Sequence, residues 1–172
     1  MLRTSLALVA LLAVSACDSN DSSTFDIDDY TGSYTGTSTL TFRNGTATTT
    51  TTAPVTVTVA KSGTNVVTAT IDPGVGSDGT DPAPVVFPGT YSSTGARFAA
   101  AVPGSTVVIT VDGDGDIDGS GNIDLFGVGI ALAPSGQITD RSFRLDVDLT
   151  VTSGNADVPT GSTGTAAITA SR

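Results

Sequence analysis

Asp112, Asp114, Asp116 and Asp118, followed by Asn122 and Asp124, stand at alternate positions in a run punctuated by Gly113, Gly115, Gly119 and Gly121. Carboxylates spaced in this way can wrap a hard cation through oxygen, or they can line the wet face of a hairpin at i, i+2 spacing. Two further aspartate pairs, Asp146 with Asp148 and Asp28 with Asp29, have the residue types for carboxylate-based cleavage of glycosidic bonds. The first pair falls on one exposed strand face and the second in a polar segment, so solvated charge accounts for both. Histidine is absent, which removes imidazole bases, Ser-His-Asp and Cys-His arrangements and His-ligated zinc. There is neither a phosphate-cradling glycine motif nor a basic patch, and a net charge of −10 with a pI near 4.1 argues against nucleic acid. The expectation is a protein that is not an enzyme.

The aspartate run resembles calcium loops of the EF-hand or dockerin type. With Asp114 in the first ligand position, Asp116, Asp118 and Gly119 fall correctly, but Gly121 stands where an apolar residue belongs and Leu125 where the bidentate acid belongs. No flanking helices are expected. The expectation is no cofactor and no metal site, with Asp114, Asp116 and Asp118 the residues that would hold a structural calcium if one formed.

Cys17 is the sole cysteine, so no disulfide can form within the chain. Ahead of it, Arg3 supplies a positive start, and Leu6 to Val14 form an apolar stretch too short to span a bilayer. Val14-Ser15-Ala16-Cys17 then resembles the bacterial lipobox, a small-residue site cut just before a cysteine that carries diacylglycerol. The resemblance implies that residues 1–16 are a lipoprotein signal peptide and that Cys17 is the lipidation site. Two or three acyl chains, palmitate among them, would attach the protein to a membrane. Loss of Arg3 makes the mature charge −11 and leaves 156 residues, enough for one hydrophobic core. The lipidated cysteine and the acidic, polar stretch after it, residues 17–28, read as a tether with a reach on the order of 18 Å. The address is the cell envelope, in the outer membrane or at the cell surface in preference to the inner membrane. Asp18 resembles an inner-membrane retention signal and the acidic run a surface-export signal, so the leaflet stays open.

The elements that must position these residues are strands. All 17 acidic residues are aspartate, and Thr, Val and Gly dominate. Phe143, Leu145, Val147, Leu149 and Val151 alternate strictly with Ser142, Arg144, Asp146, Asp148 and Thr150, as a strand with one wet face does. Val55, Val57 and Val59, then Val67, Ala69 and Ile71, then Val107, Ile109 and Val111 repeat the pattern. Asn44-Gly45 predicts a tight hairpin of type I′. Lys61 to Thr64, Asp72-Pro73-Gly74, Pro88-Gly89, Pro103-Gly104, Pro134-Ser135-Gly136 and Ser153-Gly154-Asn155 predict further reversals. Residues 73–84 read as the longest loop, and Pro54 should fall at a bulge or an edge. Leu125 to Leu132 is apolar on both faces and should be covered on both, by a neighbouring loop. The fold class is all-β. Residues 29–172 are expected to form a single antiparallel meander barrel of about eight to ten strands, with a β-sandwich as the alternative.

Phe25-Asp26, then Tyr30-Thr31-Gly32-Ser33-Tyr34, resembles the opening signature of lipocalins, with Tyr34 in the place of a tryptophan. With Thr163-Gly164-Thr165-Ala166-Ala167-Ile168 near the end, it is similar to the small calycin-like barrels of bacterial lipoproteins. In lipocalins an arginine of a late strand packs on that tryptophan; no internal arginine is assigned the place here. The simpler alternative is that Tyr30 and Tyr34 plug one barrel end. The resemblance implies a noncatalytic envelope protein whose barrel interior binds a small apolar ligand, or which binds a partner protein of the envelope. The alternative is a structural or adhesion-type surface domain, stabilised by calcium if the aspartate run takes it up. A barrel of this size is either filled by its own side chains or holds one small molecule.

Overall fold

The computed structural model describes residues 24–75, 79, 81–100, 105–125 and 127–172. Cys17, residues 1–16, expected as a signal peptide, and Pro103-Gly104 lie outside the described residues. A single helical turn, α1 (Ile27–Tyr30), precedes ten strands: β1 (Gly32–Asn44), β2 (Ala47–Gly63), β3 (Val66–Pro73), β4 (Val85–Ser92), β5 (Gly95–Ala99), β6 (Val108–Asp112), β7 (Asp116–Leu125), β8 (Val128–Ile138), β9 (Ser142–Ser153) and β10 (Thr163–Ser171). Each strand pairs antiparallel with its neighbours in sequence, and β1 closes on β10. The protein is therefore a closed meander barrel and not a sandwich.

Alternation decides which side chains enter. Tyr34, Val57, Val67, Ala96, Phe98, Val111, Ile117, Phe143 and Leu145 are buried in one core, while Thr35, Thr37, Arg97, Asp116, Asp118 and Arg144 on the same strands face water. Ten strands of unequal length make the wall uneven. β2 runs for 17 residues and β9 for 12, whereas β5 and β6 have 5 each. β7 to β10 with β1 and β2 thus form a tall wall, and β3 to β6 a short one. Both walls share a floor, where β1 begins and β10 ends. Only the tall wall rises at the opposite end, the mouth.

Several reversals fall where the sequence places them, and two do not. The β1–β2 hairpin forms, but its turn residues are Gly45 and Thr46, since Asn44 pairs with Ala47 in the ladder. Gly45 alone takes positive φ, at 60°, which is the demand of a II′ turn on its first central residue. Pro88-Gly89 and Pro134-Ser135-Gly136 are not turns; they lie inside β4 and β8. Glycine serves there for close approach, because a Cβ on Gly136 would stand 2.1 Å from the Arg144 carbonyl oxygen and one on Gly89 2.6 Å from that of Arg97. Leu125 to Leu132 is the end of one strand, a turn at Gly127 and the start of the next, so it does not form one strand covered on both faces.

Pro54 sits where β2 outruns β3. Its carbonyl accepts from the Gly74 N–H at 3.0 Å, so its ring nitrogen faces the same side, beyond the last β3 pair, and no ladder bond to β1 is lost.

Candidate functional site

The floor is closed by residues the sequence assigns to the tether. Phe25 and Ile27 are buried in the core, and the Phe25 N–H donates to the Ser93 carbonyl at 3.0 Å. Residues 25–28 therefore belong to the barrel domain, which was expected to begin at Asp29. Two apolar side chains two residues apart gain about 1.5–3 kcal/mol each by docking on the barrel, more than a free polar segment could offer them. Asp26 caps α1 by accepting from the Asp28 N–H at 2.9 Å. Asp28 reaches Lys61 at 2.8 Å, and the Phe25 and Tyr30 rings stack at 5.1 Å.

Tyr34, fully buried, is the centre of this floor. Its hydroxyl proton lies between the carbonyls of Tyr30, at 3.0 Å, and Thr139, at 2.9 Å. Arg172 donates to the same oxygen at 2.8 Å, lays its guanidinium over the ring 4.6 Å from the centroid, and donates onward to the Thr31 carbonyl. The first strand, the last residue and the β8–β9 turn thus meet on one side chain. Burial raises the Tyr34 phenol above its ordinary pKa, and the arginine opposes that rise. Tyr30 is raised by burial and then by Asp29, Asp112 and Asp114. The sequence does not assign a late arginine over the place of Tyr34, because the partners are 138 residues apart and no local pattern singles out Arg172.

Above the floor lies a cavity of about 50 Å³ among Phe25, Ile27, Val57, Phe87, Phe98 and Ile117. A dry engineered cavity that admits benzene measures roughly 150 Å³, and pockets for larger ligands roughly 300–1,000 Å³. The lower lumen is therefore packed by its own side chains.

The mouth differs. Unbroken pairing of β1 with both neighbours puts Leu40 and Phe42 on the face that carries Tyr34. Across the tall wall Phe42 aligns through Gly164 with Leu149 and then Leu132. Yet Leu40 is 46% exposed and Phe42, Leu132 and Leu149 are only half-buried, since β3 ends opposite Val55, below the level of Thr51 and Leu40. Among the described residues this is inward hydrocarbon that the short wall does not reach.

The aspartate run forms the β6–β7 hairpin. One Asp112 carboxylate oxygen accepts from the N–H groups of both Asp114 and Asp116, each at 3.0 Å, and Asp116 accepts from the Gln137 amide at 3.1 Å. Asp114 lies at the turn, and Asp116 and Asp118 lie on the outer face of β7. Among the described residues no three acidic, histidine or cysteine side chains converge to hold a metal ion. Asp146 accepts from the Arg144 guanidinium at 2.8 Å, on the outer wall with Asp148. Compared with protein-family models, curated proteins and solved structures, the chain matches none.

Proposed function

We propose that this chain is a noncatalytic cell-envelope lipoprotein, anchored through a diacylated Cys17 in the outer membrane or at the cell surface. Its calycin-like barrel binds one small apolar ligand in the upper lumen. The observation that carries the ligand is Leu40, an inward leucine on a continuous strand that is 46% exposed and has no described strand of the short wall at its level. A short hydrocarbon chain laid along Leu40, Phe42, Leu132 and Leu149 would gain roughly 0.8 kcal/mol for each methylene it buries. The support for the anchor is the Val14 to Cys17 motif behind an apolar stretch. Support for the absence of catalysis is the missing histidine together with the use of the carboxylate pairs as outer-wall charge and as a partner for Lys61. Asp112 is already engaged by its own turn, so we expect removal of calcium by a chelator to leave the melting temperature unchanged.

A second reading, a structural or adhesion-type surface domain, is favoured by the cavity of about 50 Å³, which leaves the lower lumen no room for cargo. Two measurements on the full chain expressed in bacteria separate the readings. Labelled palmitate should enter the wild type and not Cys17→Ala; equal labelling removes the anchor. Native mass spectrometry of the detergent-released protein with lauric acid should show a 1:1 adduct that Leu40→Asp loses. An adduct indifferent to Leu40→Asp, or none at all, favours the structural reading.

A further inference from the structure

Among the described residues β2 has two neighbouring strands along its lower half and one along its upper half. Its pairing with β1 runs from Ala47 to Val59, whereas its pairing with β3 begins only at Val55. The Pro54 carbonyl faces the β3 side, where Gly74 donates to it. Backbone direction alternates along a strand, so the N–H and C=O groups of Thr48, Thr50 and Thr52 point to that same side. No described strand lies beside them, and all three residues are exposed. In contrast, Ala53 turns its carbonyl toward β1, where the Ser38 hydroxyl donates to it at 3.3 Å.

A free edge of this kind is a template for another strand, and soluble proteins protect such edges with lysine, proline or a bulge. Among the described residues this one is protected at its lower end, by Pro54. From Asn44 to Ala60 no residue is charged, in a chain whose net charge is −10. Five consecutive threonines, Thr48 to Thr52, supply β-branched side chains that favour the extended conformation.

We propose that the upper edge of β2 is a self-association surface, on which a second copy of this chain pairs antiparallel through its own β2. The edge is self-complementary. With a two-fold axis at Thr50, Thr50 faces Thr50 of the other copy and Thr48 faces Thr52, so every free N–H meets a free C=O, and residue i meets j as j meets i. The stretch has no charge to repel its own duplicate, which an otherwise acidic surface would do. Pairing also extends the tall wall sideways and puts the Leu40 strands of the two copies on one continuous sheet, three strand spacings or about 14 Å apart. The two-fold runs the barrels antiparallel and puts their floors at opposite ends. Chains held by Cys17, a point that rests on the anchor proposed above, then meet from facing membranes instead of side by side.

The test uses the full chain in detergent, followed by sedimentation against concentration. The wild type should form a reversible dimer. Thr50→Pro removes an N–H that points away from β1 together with an exposed hydroxyl 3.2 Å from that of Thr41, and Thr50→Lys places charge at the two-fold; each should weaken the dimer at least tenfold while circular dichroism stays unchanged. Thr50→Cys should give a disulfide-linked dimer under oxidation, and Thr39→Cys on β1 should not. A wild type that remains monomeric, or a dimer that tolerates both Thr50→Pro and Thr50→Lys, overturns the proposal. Vesicles carrying the lipidated chain should cluster, and Thr50→Pro should disperse them. Dimers in detergent without clustering overturn the anchor and leave the edge pairing standing.

Discussion

The two ends of this barrel are built from the same strands and do opposite things. At the floor, the inward side chains are buried in one core, and Tyr34 ties the chain's first strand to Arg172 through one hydroxyl. At the mouth, the same alternation continues up β1, β8 and β9, but the short wall has stopped and the inward side chains are left half in water. Inside and outside are thus set by strand period, whereas buried and exposed are set by the length of the opposite strand. The floor holds the fold together, and the mouth is where the proposed ligand would sit.

That contrast can be broken most severely at Tyr34. Tyr34→Ala removes a fully buried ring and should cost about 3–5 kcal/mol in denaturant unfolding, a large share of the stability of a small domain. Ile27→Ala, in the segment that caps the floor, should cost about 2–4 kcal/mol by the same measurement; a loss near zero would return residues 25–28 to the tether. Tyr34→Phe keeps the ring and deletes the hydroxyl, for a loss of about 1–3 kcal/mol, because Arg172 and the Thr139 carbonyl lose a buried partner.

The same hydroxyl gives the floor a signature in pH. Burial raises the Tyr34 phenol, so the folded state holds its proton more tightly than the unfolded chain does. Its contribution is fully present below the unfolded value near 10 and is lost as pH climbs through the folded one. Unfolding free energy should therefore decline above about pH 10, less steeply in Tyr34→Phe. Tyr30 contributes in the same direction and keeps the slope from vanishing. The smallest effect belongs to the mouth: Leu40→Asp should change stability by no more than about 0.5 kcal/mol, since that side chain lacks an opposing wall to lose.

How much of this was legible depends on the range of the signal. The strand from Ser142 to Ser153 is written in its own alternation, as are the inward valines of β2, and turn chemistry at Gly45 and Gly154 marks where strands end. The reversals expected at Pro88-Gly89 and Pro134-Ser135-Gly136 failed because glycine has two uses. Inside a strand it lets a neighbouring backbone pass where a Cβ would stand, and only the neighbour, Arg97 or Arg144, tells the two uses apart. Phe25 and Ile27 sit among aspartates and serines, so their composition is that of a tether; the barrel floor that receives them is made by strands far along the chain. The aspartate run carried the strongest apparent chemistry and turned out to be a hairpin whose first carboxylate satisfies the turn's own N–H groups. Leu40 was silent in sequence, because an alternating leucine looks buried until the height of the opposite wall is known.

The most direct measurement is a titration of the isotopically labelled chain with lauric acid, followed residue by residue by NMR. Shift changes should gather at Leu40, Phe42, Leu132 and Leu149 and leave Tyr34, Val57 and Val67 undisturbed. Changes centred on Tyr34 and the floor, or none anywhere at saturating ligand, would contradict the division of the barrel into a packed end and a receptive one.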